Sequence, residues 1–295
     1  MTAPGPGHGR GRDLHDAVVA ITGAGSGIGR ALADHLAAQG ARLALADVSS
    51  PGLQAAAEAL RARGTEVTTA VLDVADRPAV WGWAERVVAD HGRINVIVNN
   101  AGIGVGAYVD ELDPADWDRV LAVNLGGVVN GTLAFLPHLR QAMWGHVVNL
   151  SSMLGVLAVP SMATYVTSKA AVRAFTETLA MELRADRSTV HATVVLPGGV
   201  RTNLYATAKV TSPRLERLGV DPSRLGEQLA ATQRTSPEVA AAAIVDGIRR
   251  RRLRVVIGAD ARASLLAQRL APVGVQRAAA VGDRLVRHGV ARRRR

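Results

Sequence analysis

The sequence predicts an α/β fold, a doubly wound parallel sheet forming one domain, and two observations carry the prediction. Short runs that are apolar throughout alternate with segments of helical period from Ala17 to Ile257, as strands buried on both faces and their crossover helices require. A glycine-rich turn separates the first run from the first helix, and right-handed crossovers then wind the sheet in both directions.

Taken in order, Ala17–Thr22 (AVVAIT) is a short apolar, β-branched run and reads as a buried strand. Ile28–Gln39 follows as a helix with Gly40 at its end. Arg42–Ala46 and Leu53–Arg63 repeat the cycle, closed by Gly64. Glu66–Leu72 is the third strand, and Pro78 starts the helix Pro78–His91 at a first-turn position. Ile94–Val98 is a strand, Pro114–Gln141 is largely helical and His146–Leu150 is a strand. Ala163–Ala185 is a long helix and Val190–Leu196 a sixth strand. Pro237–Arg252 reads as a helix and Val255–Ile257 as a short last strand. Residues 203–235, between the sixth strand and that helix, are polar, Pro-containing and irregular, the pattern of a functional loop or lid.

Composition narrows the class. The 295 residues are 48% hydrophobic and 20% charged, which fits a folded globule with a sizeable core. With no Cys, a disulfide scaffold, an iron–sulfur cluster and a cysteine nucleophile are excluded. The eight His show no metal-ligand spacing. No secretory signal and no uncharged apolar run of about 18 residues is evident, so a cytoplasmic protein is expected. The net charge of +10 is unevenly placed: Arg249–Arg295 holds 14 Arg and only two acids, Asp260 and Asp283, whereas residues 1–248 are nearly neutral. Three regions follow: a leader over 1–14, the α/β domain over 15–258 and an Arg-rich extension over 259–295.

The turn after the first strand reads Thr22-Gly23-Ala24-Gly25-Ser26-Gly27-Ile28-Gly29. Gly23 permits a tight turn, Gly27 admits a pyrophosphate close to the backbone, and Gly29 lets the helix pack on the sheet. The helix N-terminus offers free N–H groups to the phosphates. Asp47 ends the second strand, where an acid accepts hydrogen bonds from ribose hydroxyls and repels a 2′-phosphate. NAD is therefore expected ahead of NADP, although Arg30 and Arg42 keep the phosphorylated form open.

Two Tyr-x-x-x-Lys pairs occur, Tyr165/Lys169 and Tyr205/Lys209. Spacing of four puts a phenol and an ammonium on one helix face. The first pair lies in the helix after the fifth strand, with Ser152 at that strand's carboxyl end, where ligands of open sheets bind. The second lies in the irregular loop and is set aside.

These motifs, with Asn99-Asn100-Ala101-Gly102, Asn124 and Pro197-Gly198-Gly199-Val200-Arg201-Thr202, occur in an order and spacing that resembles the short-chain dehydrogenase/reductase family over about residues 15–258. The resemblance implies a Rossmann fold, and it implies that Tyr165 is the general acid/base. It also implies that Lys169 favours the phenolate and holds the nicotinamide ribose, that Ser152 binds the substrate oxygen, and that Asn124 supports a water relay. A free phenol ionises near pH 10, so nearby cations are needed for base work at neutral pH. Asn100, Ala101 and Gly102 would line the adenosine side with Asp73 and Val74, while Pro197, Val200 and Thr202 would hold the carboxamide. A homodimer or homotetramer through the helices beginning near Pro114 and Ala163 is implied as well.

The expected activity is hydride exchange between NAD(H) and a secondary alcohol or ketone, or an alcohol or aldehyde, of apolar character. Val105, Tyr108, Leu154, Val156, Leu157, Leu204 and Tyr205 are expected to supply the pocket wall. The competing reading is a catalytically idle nucleotide-binding scaffold attached to membranes by its tail; the intact Ser152/Tyr165/Lys169 set weighs against it. Within the extension, Ala261–Leu270 and Val275–Val290 have helical spacing broken at Pro272. Solvated helices, or weak contact with an anionic membrane surface, account for that pattern. Sequence-specific nucleic-acid binding is not expected, because no aromatic residues interleave the Arg runs.

Overall fold

The computed structural model describes residues 12–204, 207–210, 212–214 and 233–292, with 286–292 described by backbone alone. Its elements are β1 (Val18–Thr22), α1 (Gly27–Ala37), β2 (Arg42–Asp47), α2 (Ser50–Arg61), β3 (Val67–Val71), α3 (Arg77–His91) and β4 (Val96–Asn99). A two-residue strand β5 (Val105–Gly106), α4 (Pro114–Leu121), α5 (Gly127–Gln141), β6 (Gly145–Leu150), α6 (Ala163–Ala185) and β7 (Val190–Pro197) follow. The described chain ends with β8 (Lys209–Val210), α7 (Pro237–Arg249), β9 (Arg254–Ile257), α8 (Ala259–Leu270) and α9 (Pro272–Arg292).

Seven strands form one parallel sheet in the order β3-β2-β1-β4-β6-β7-β9. The chain winds outward from β1 to β3, then returns to lay β4 on the other side of β1, which is the doubly wound arrangement the sequence predicts. Alternate residues of each strand feed separate cores. Val19, Ile21, Leu43, Leu45, Val96 and Val98 pack with α1, α2 and α7 through Leu32, Leu36, Leu60 and Ile244. Val18, Ala20, Ala44, Ile97 and Val147 face α3, α5 and α6, where Trp83 meets Phe135 edge-on at 5.0 Å. Burial on both sides is why these strands are mostly apolar on both faces, the buried Asn99, His146 and Asn149 being bonded exceptions.

Local chemistry sets the helix starts. Asp76 accepts from the Ala79 N–H ahead of α3, and Ser236 accepts from the Val239 N–H ahead of α7, each with Pro in the first turn. The helical stretch Pro114–Gln141 is interrupted by a π-turn over Ala122–Gly126, a distortion invisible to hydrophobic period. By length and composition this stretch is apolar enough to cross a membrane (mean hydropathy 1.5), which the sequence reading did not anticipate; in the fold, 56% of its apolar window is buried. It packs as a core helix through Val128, Phe135 and Leu139. Pro272 breaks the C-terminal segment into α8 and α9, as its sequence suggested.

A buried polar network ties the helices to the sheet. Asn99 Nδ2 donates to Asn149 Oδ1 (2.8 Å) and to Thr132 Oγ1 (3.2 Å), and Asn149 Nδ2 donates to Thr176 Oγ1 (3.0 Å). This joins β4 and β6 to α5 and α6. A Cβ at Gly131 would stand 2.0 Å from Asn99 Oδ1. Gly131→Ala is therefore expected to lower unfolding free energy by about 1–3 kcal/mol in urea denaturation; an unchanged midpoint would contradict this packing.

Candidate active site

The carboxyl ends of β1, β2, β4, β6 and β7 surround a cavity of about 530 Å³. On its phosphate side Gly23, Ser26, Gly27 and Ile28 form the wall. Gly27 has φ of +54°, and a Cβ there would lie 3.1 Å from the Thr202 methyl carbon across the cleft, so a side chain would fill the gap between the two loops. Gly29 stands behind the wall; its Cβ would be 2.2 Å from the Gly23 carbonyl, which explains why α1 sits so close to the strand end. Ser26 is the N-cap of α1 and makes no side-chain cap bond.

Thr22, buried beneath the turn, accepts at Oγ1 from the N–H groups of Asn100 (3.0 Å) and Ala101 (3.1 Å). Asn100 Nδ2 returns bonds to the carbonyls of Thr22 (2.9 Å) and Gly23 (3.0 Å). The β1 and β4 ends are thereby locked together at the place where the sheet reverses direction, the usual ligand crevice of such folds. Asp47 accepts from the N–H groups of Gly25 and Ser49, both at 2.8 Å, and so ties the turn to the end of β2. Asp73 accepts from the Ala75 N–H (2.9 Å) and pairs with Arg119 (2.8 Å) at the rim, beside Val74.

On the opposite side of the cavity stand Ser152, Tyr165 and Lys169. Lys169 is 4% exposed and has no carboxylate partner among the described residues; its Nζ donates to the Leu150 carbonyl (2.8 Å) and lies 5.7 Å from the Tyr165 ring centre. Burial pushes its ammonium down to about 8. Ser152 Oγ accepts from the Leu154 N–H (3.1 Å), which leaves its own hydrogen to give elsewhere. Asn124 lies in the π-turn and is fully buried. Its Oδ1 accepts from the Ile103 N–H (2.8 Å), and its Nδ2 donates to the Ile103 carbonyl (2.9 Å) and to Ser168 Oγ (3.1 Å). A Cβ at Gly102 would lie 3.2 Å from Asn124 Oδ1 and 3.4 Å from Lys169 Nζ, so this glycine keeps the space between them open.

Three positioning residues escaped the sequence reading. Ser151 Oγ donates to the Lys169 carbonyl (2.7 Å), and Ser168 Oγ donates to the Tyr165 carbonyl (2.8 Å). Neither serine belongs to a spaced motif, so nothing in the sequence marks it. Asp260, on α8, accepts from the Gly199 N–H (2.6 Å), and Cβ atoms at Gly198 or Gly258 would come within 2.3 Å of it. It fixes the loop that carries Pro197, Val200 and Thr202 to the cavity. Being one of two acids among 14 Arg was a signal available to find it. The other acid, Asp283 on α9, accepts from the Tyr108 hydroxyl (2.7 Å).

Of the expected pocket wall, Leu204 lines the cavity, joined by Ile103. Val105 and Leu154 are buried, and Val105 pairs β5 with β8. Tyr205 lies outside the described residues, and its partner Lys209 is exposed and bonded to Asp116, which raises its pKa. Arg30 pairs with Asp34, and Arg42 with Asp16 and Glu66. Among the described residues no three His, Asp or Glu side chains gather as a metal site would need.

The short chain dehydrogenase family profile matches residues 17–212. The oxidoreductase SadH of Mycobacterium tuberculosis is 42% identical over 269 residues, covering 90% of this chain and 94% of that protein. The 3-oxoacyl-[acyl-carrier-protein] reductase FabG of Thermotoga maritima is 38% identical over 189 residues, covering 64% and 76%. A short-chain dehydrogenase/reductase of Burkholderia phymatum, solved in complex with NAD, superposes with a TM-score of 0.79 at 31% identity over 87% of this chain and 92% of its own.

Lys169 sets a pH signature. Below about pH 8 the folded and unfolded chains both hold its proton; between about 8 and 10.5 only the unfolded chain does, so stability rises with pH. Relative to Lys169→Met, the wild type is expected to gain up to about 3 kcal/mol across that window in urea unfolding. Parallel curves would contradict the burial of a charged amine.

Proposed function

The chain belongs to the short-chain dehydrogenase family, and on that premise we propose that it is an NAD-dependent oxidoreductase. Its proposed reaction is hydride exchange with a secondary alcohol or ketone, or an alcohol or aldehyde, of apolar character. The observation that carries this reading is Lys169, buried beside Tyr165 and Ser152 with ammonium hydrogens to spare.

A dinucleotide fits the residues present. Gly27 presents bare backbone to the cavity where a Cβ would crowd the Thr202 methyl, Ser26 makes no cap bond, and the α1 N-terminus faces the cavity. Gly23, Ser26, Gly27 and Ile28 would hold its pyrophosphate, Asp47 its adenosine ribose, Asp73, Val74 and Asn100–Gly102 the adenine side, and Pro197, Val200 and Thr202 the carboxamide. Bound there, the nicotinamide supplies the hydride acceptor or donor.

The chain's own residues then manage the proton and the geometry. In alcohol oxidation Tyr165 Oη takes the hydroxyl proton of the substrate, and in carbonyl reduction it gives one back. Ser152 donates its hydroxyl hydrogen to the same substrate oxygen and stabilises negative charge there. Lys169 spends one N–H on Leu150, and its remaining N–H groups would hold the nicotinamide ribose and favour the phenolate of Tyr165. A cation in a dry cleft acts on Tyr165 far more strongly than it would in water. Asn124 holds the segment after β4 against α6 through Ile103 and Ser168 and so keeps the Lys169 end of the cleft in register, where a water relay would run. Ile103 and Leu204 support an apolar substrate wall.

NAD is preferred in this reading because Asp47 faces the adenosine ribose position, and because Arg30 and Arg42 are already paired with acids. Tyr165→Phe is expected to lower turnover on a panel of secondary alcohols by at least about a hundredfold while NAD binding by calorimetry is kept. Undiminished turnover, or the absence of reduced cofactor with every alcohol tried, would count against the assignment. Asp47→Ala is expected to shift the NADP/NAD ratio of kcat/KM by about tenfold toward NADP; an unchanged ratio would remove Asp47 from cofactor choice.

A further inference from the structure

A second cavity, of about 470 Å³, opens at the amino end of the sheet, away from the cleft, between the end of α6, the start of β7 and the Arg251–Leu253 segment before β9. Its polar lining is Arg184, Arg187, Ser188, His191 and Arg251, with no Asp or Glu. Among the described residues these three Arg form no ion pair, although Arg250 and Arg252 both pair with Asp246, and Arg254 pairs with Glu177. The chain thus neutralises the Arg on either side of Arg251 and leaves Arg251 facing the cavity uncompensated.

More positive charge stands behind this lining. Arg12 lies 4.6 Å over the Trp144 ring and donates its backbone N–H to the Arg249 carbonyl (3.0 Å). Burial and then Arg251 push its guanidinium down to about 10. His191 is held below its ordinary value by burial, then by Arg251 and Arg12. His146, its register partner across β6 and β7, lies 6.1 Å from it ring to ring; burial first, then His191 and the two Arg, keep it neutral. Arg12 and Arg251 thus act on one another and on His191 as like charges, and an anion entering the cavity relieves that repulsion.

Helix termination brings two of these residues to the cavity: Arg187 and Arg251, with φ of +50° and +53°, are the left-handed residues that close α6 and α7. The remaining wall is apolar: Leu183 and Val190 are buried, while Met181 and Leu253 are 63% and 43% exposed. Cations on one side and open aliphatic surface on the other call for a ligand with both characters.

We propose that this cavity binds an amphiphilic anion, a carboxylate or phosphate on an alkyl or acyl chain, its head held by Arg184, Arg187 and Arg251 and its chain laid on Met181, Leu183 and Leu253. The site is separate from the cleft, so it stands whether or not the dehydrogenase reading does.

The test is calorimetry on the full chain with dodecyl phosphate below its micellar concentration. Wild type is expected to bind it, and inorganic phosphate at least about tenfold more weakly. Arg251→Gly suits the left-handed backbone, and Arg184→Gln keeps a helix former in α6; each is expected to weaken dodecyl phosphate about tenfold, with Arg250→Gln unchanged. Folding of every variant is checked by circular dichroism, and Arg184→Gln decides should Arg251→Gly fail to fold. Equal binding by the variants, or by neutral dodecyl maltoside, would overturn the site. Inorganic phosphate binding as tightly as dodecyl phosphate would overturn its amphiphilic character.

Discussion

An ammonium group held almost wholly out of water, with a backbone carbonyl beside it and no carboxylate among the described residues, is the constraint that organises this molecule. Removing a cation from water is unfavourable unless its hydrogens find acceptors, and the downward displacement of the Lys169 pKa to about 8 expresses that strain. The surrounding chain is arranged to hold it there. Ser151 fastens the Lys169 backbone to the end of β6, Leu150 takes one of its hydrogens, and Gly155 has no side chain because a Cβ would lie 2.7 Å from the Lys169 carbonyl. A carboxylate partner would satisfy the ammonium but would also neutralise the field it exerts on the phenol one turn away.

The rest of the sheet serves the same end. Apolar strands buried on both faces set α5 and α6 rigidly, and the Asn99–Asn149–Thr176 bonds fix α6 against β6. Phosphate-side and catalytic-side residues come from chain segments more than a hundred residues apart, yet their places follow from one rule: strand ends on either side of the reversal between β1 and β4 point into a common crevice.

Much of this was legible because it depends on local pattern. The strands announced themselves as apolar β-branched runs, the turn Thr22–Gly29 by its glycines, and the Ser152, Tyr165 and Lys169 set by position after an apolar strand. What stayed hidden depends on tertiary contact. The π-turn that carries Asn124 preserves the hydrophobic period closely enough to pass for ordinary helix, although such turns gather at functional places. The β5–β8 pairing is two residues long on each side, too short for any periodicity. Tyr108 read as a pocket aromatic, but its hydroxyl is bonded to Asp283, a partner 175 residues away that spacing cannot suggest. The Arg-rich extension read as an appendage; through Asp260 and Asp283 its only two acids reach back to the loops beside the cleft.

The proposal that Lys169, Tyr165 and Ser152 form a working hydride-exchange site is tested most directly by isotope transfer. Secondary alcohols carrying deuterium on the carbinol carbon would be mixed with the protein and NAD, and the recovered cofactor weighed by mass spectrometry. The account predicts one deuterium on the reduced nicotinamide, acquired at least about a hundredfold more slowly when Tyr165 is replaced by Phe. Cofactor that binds yet never acquires deuterium from any alcohol of the series would contradict it.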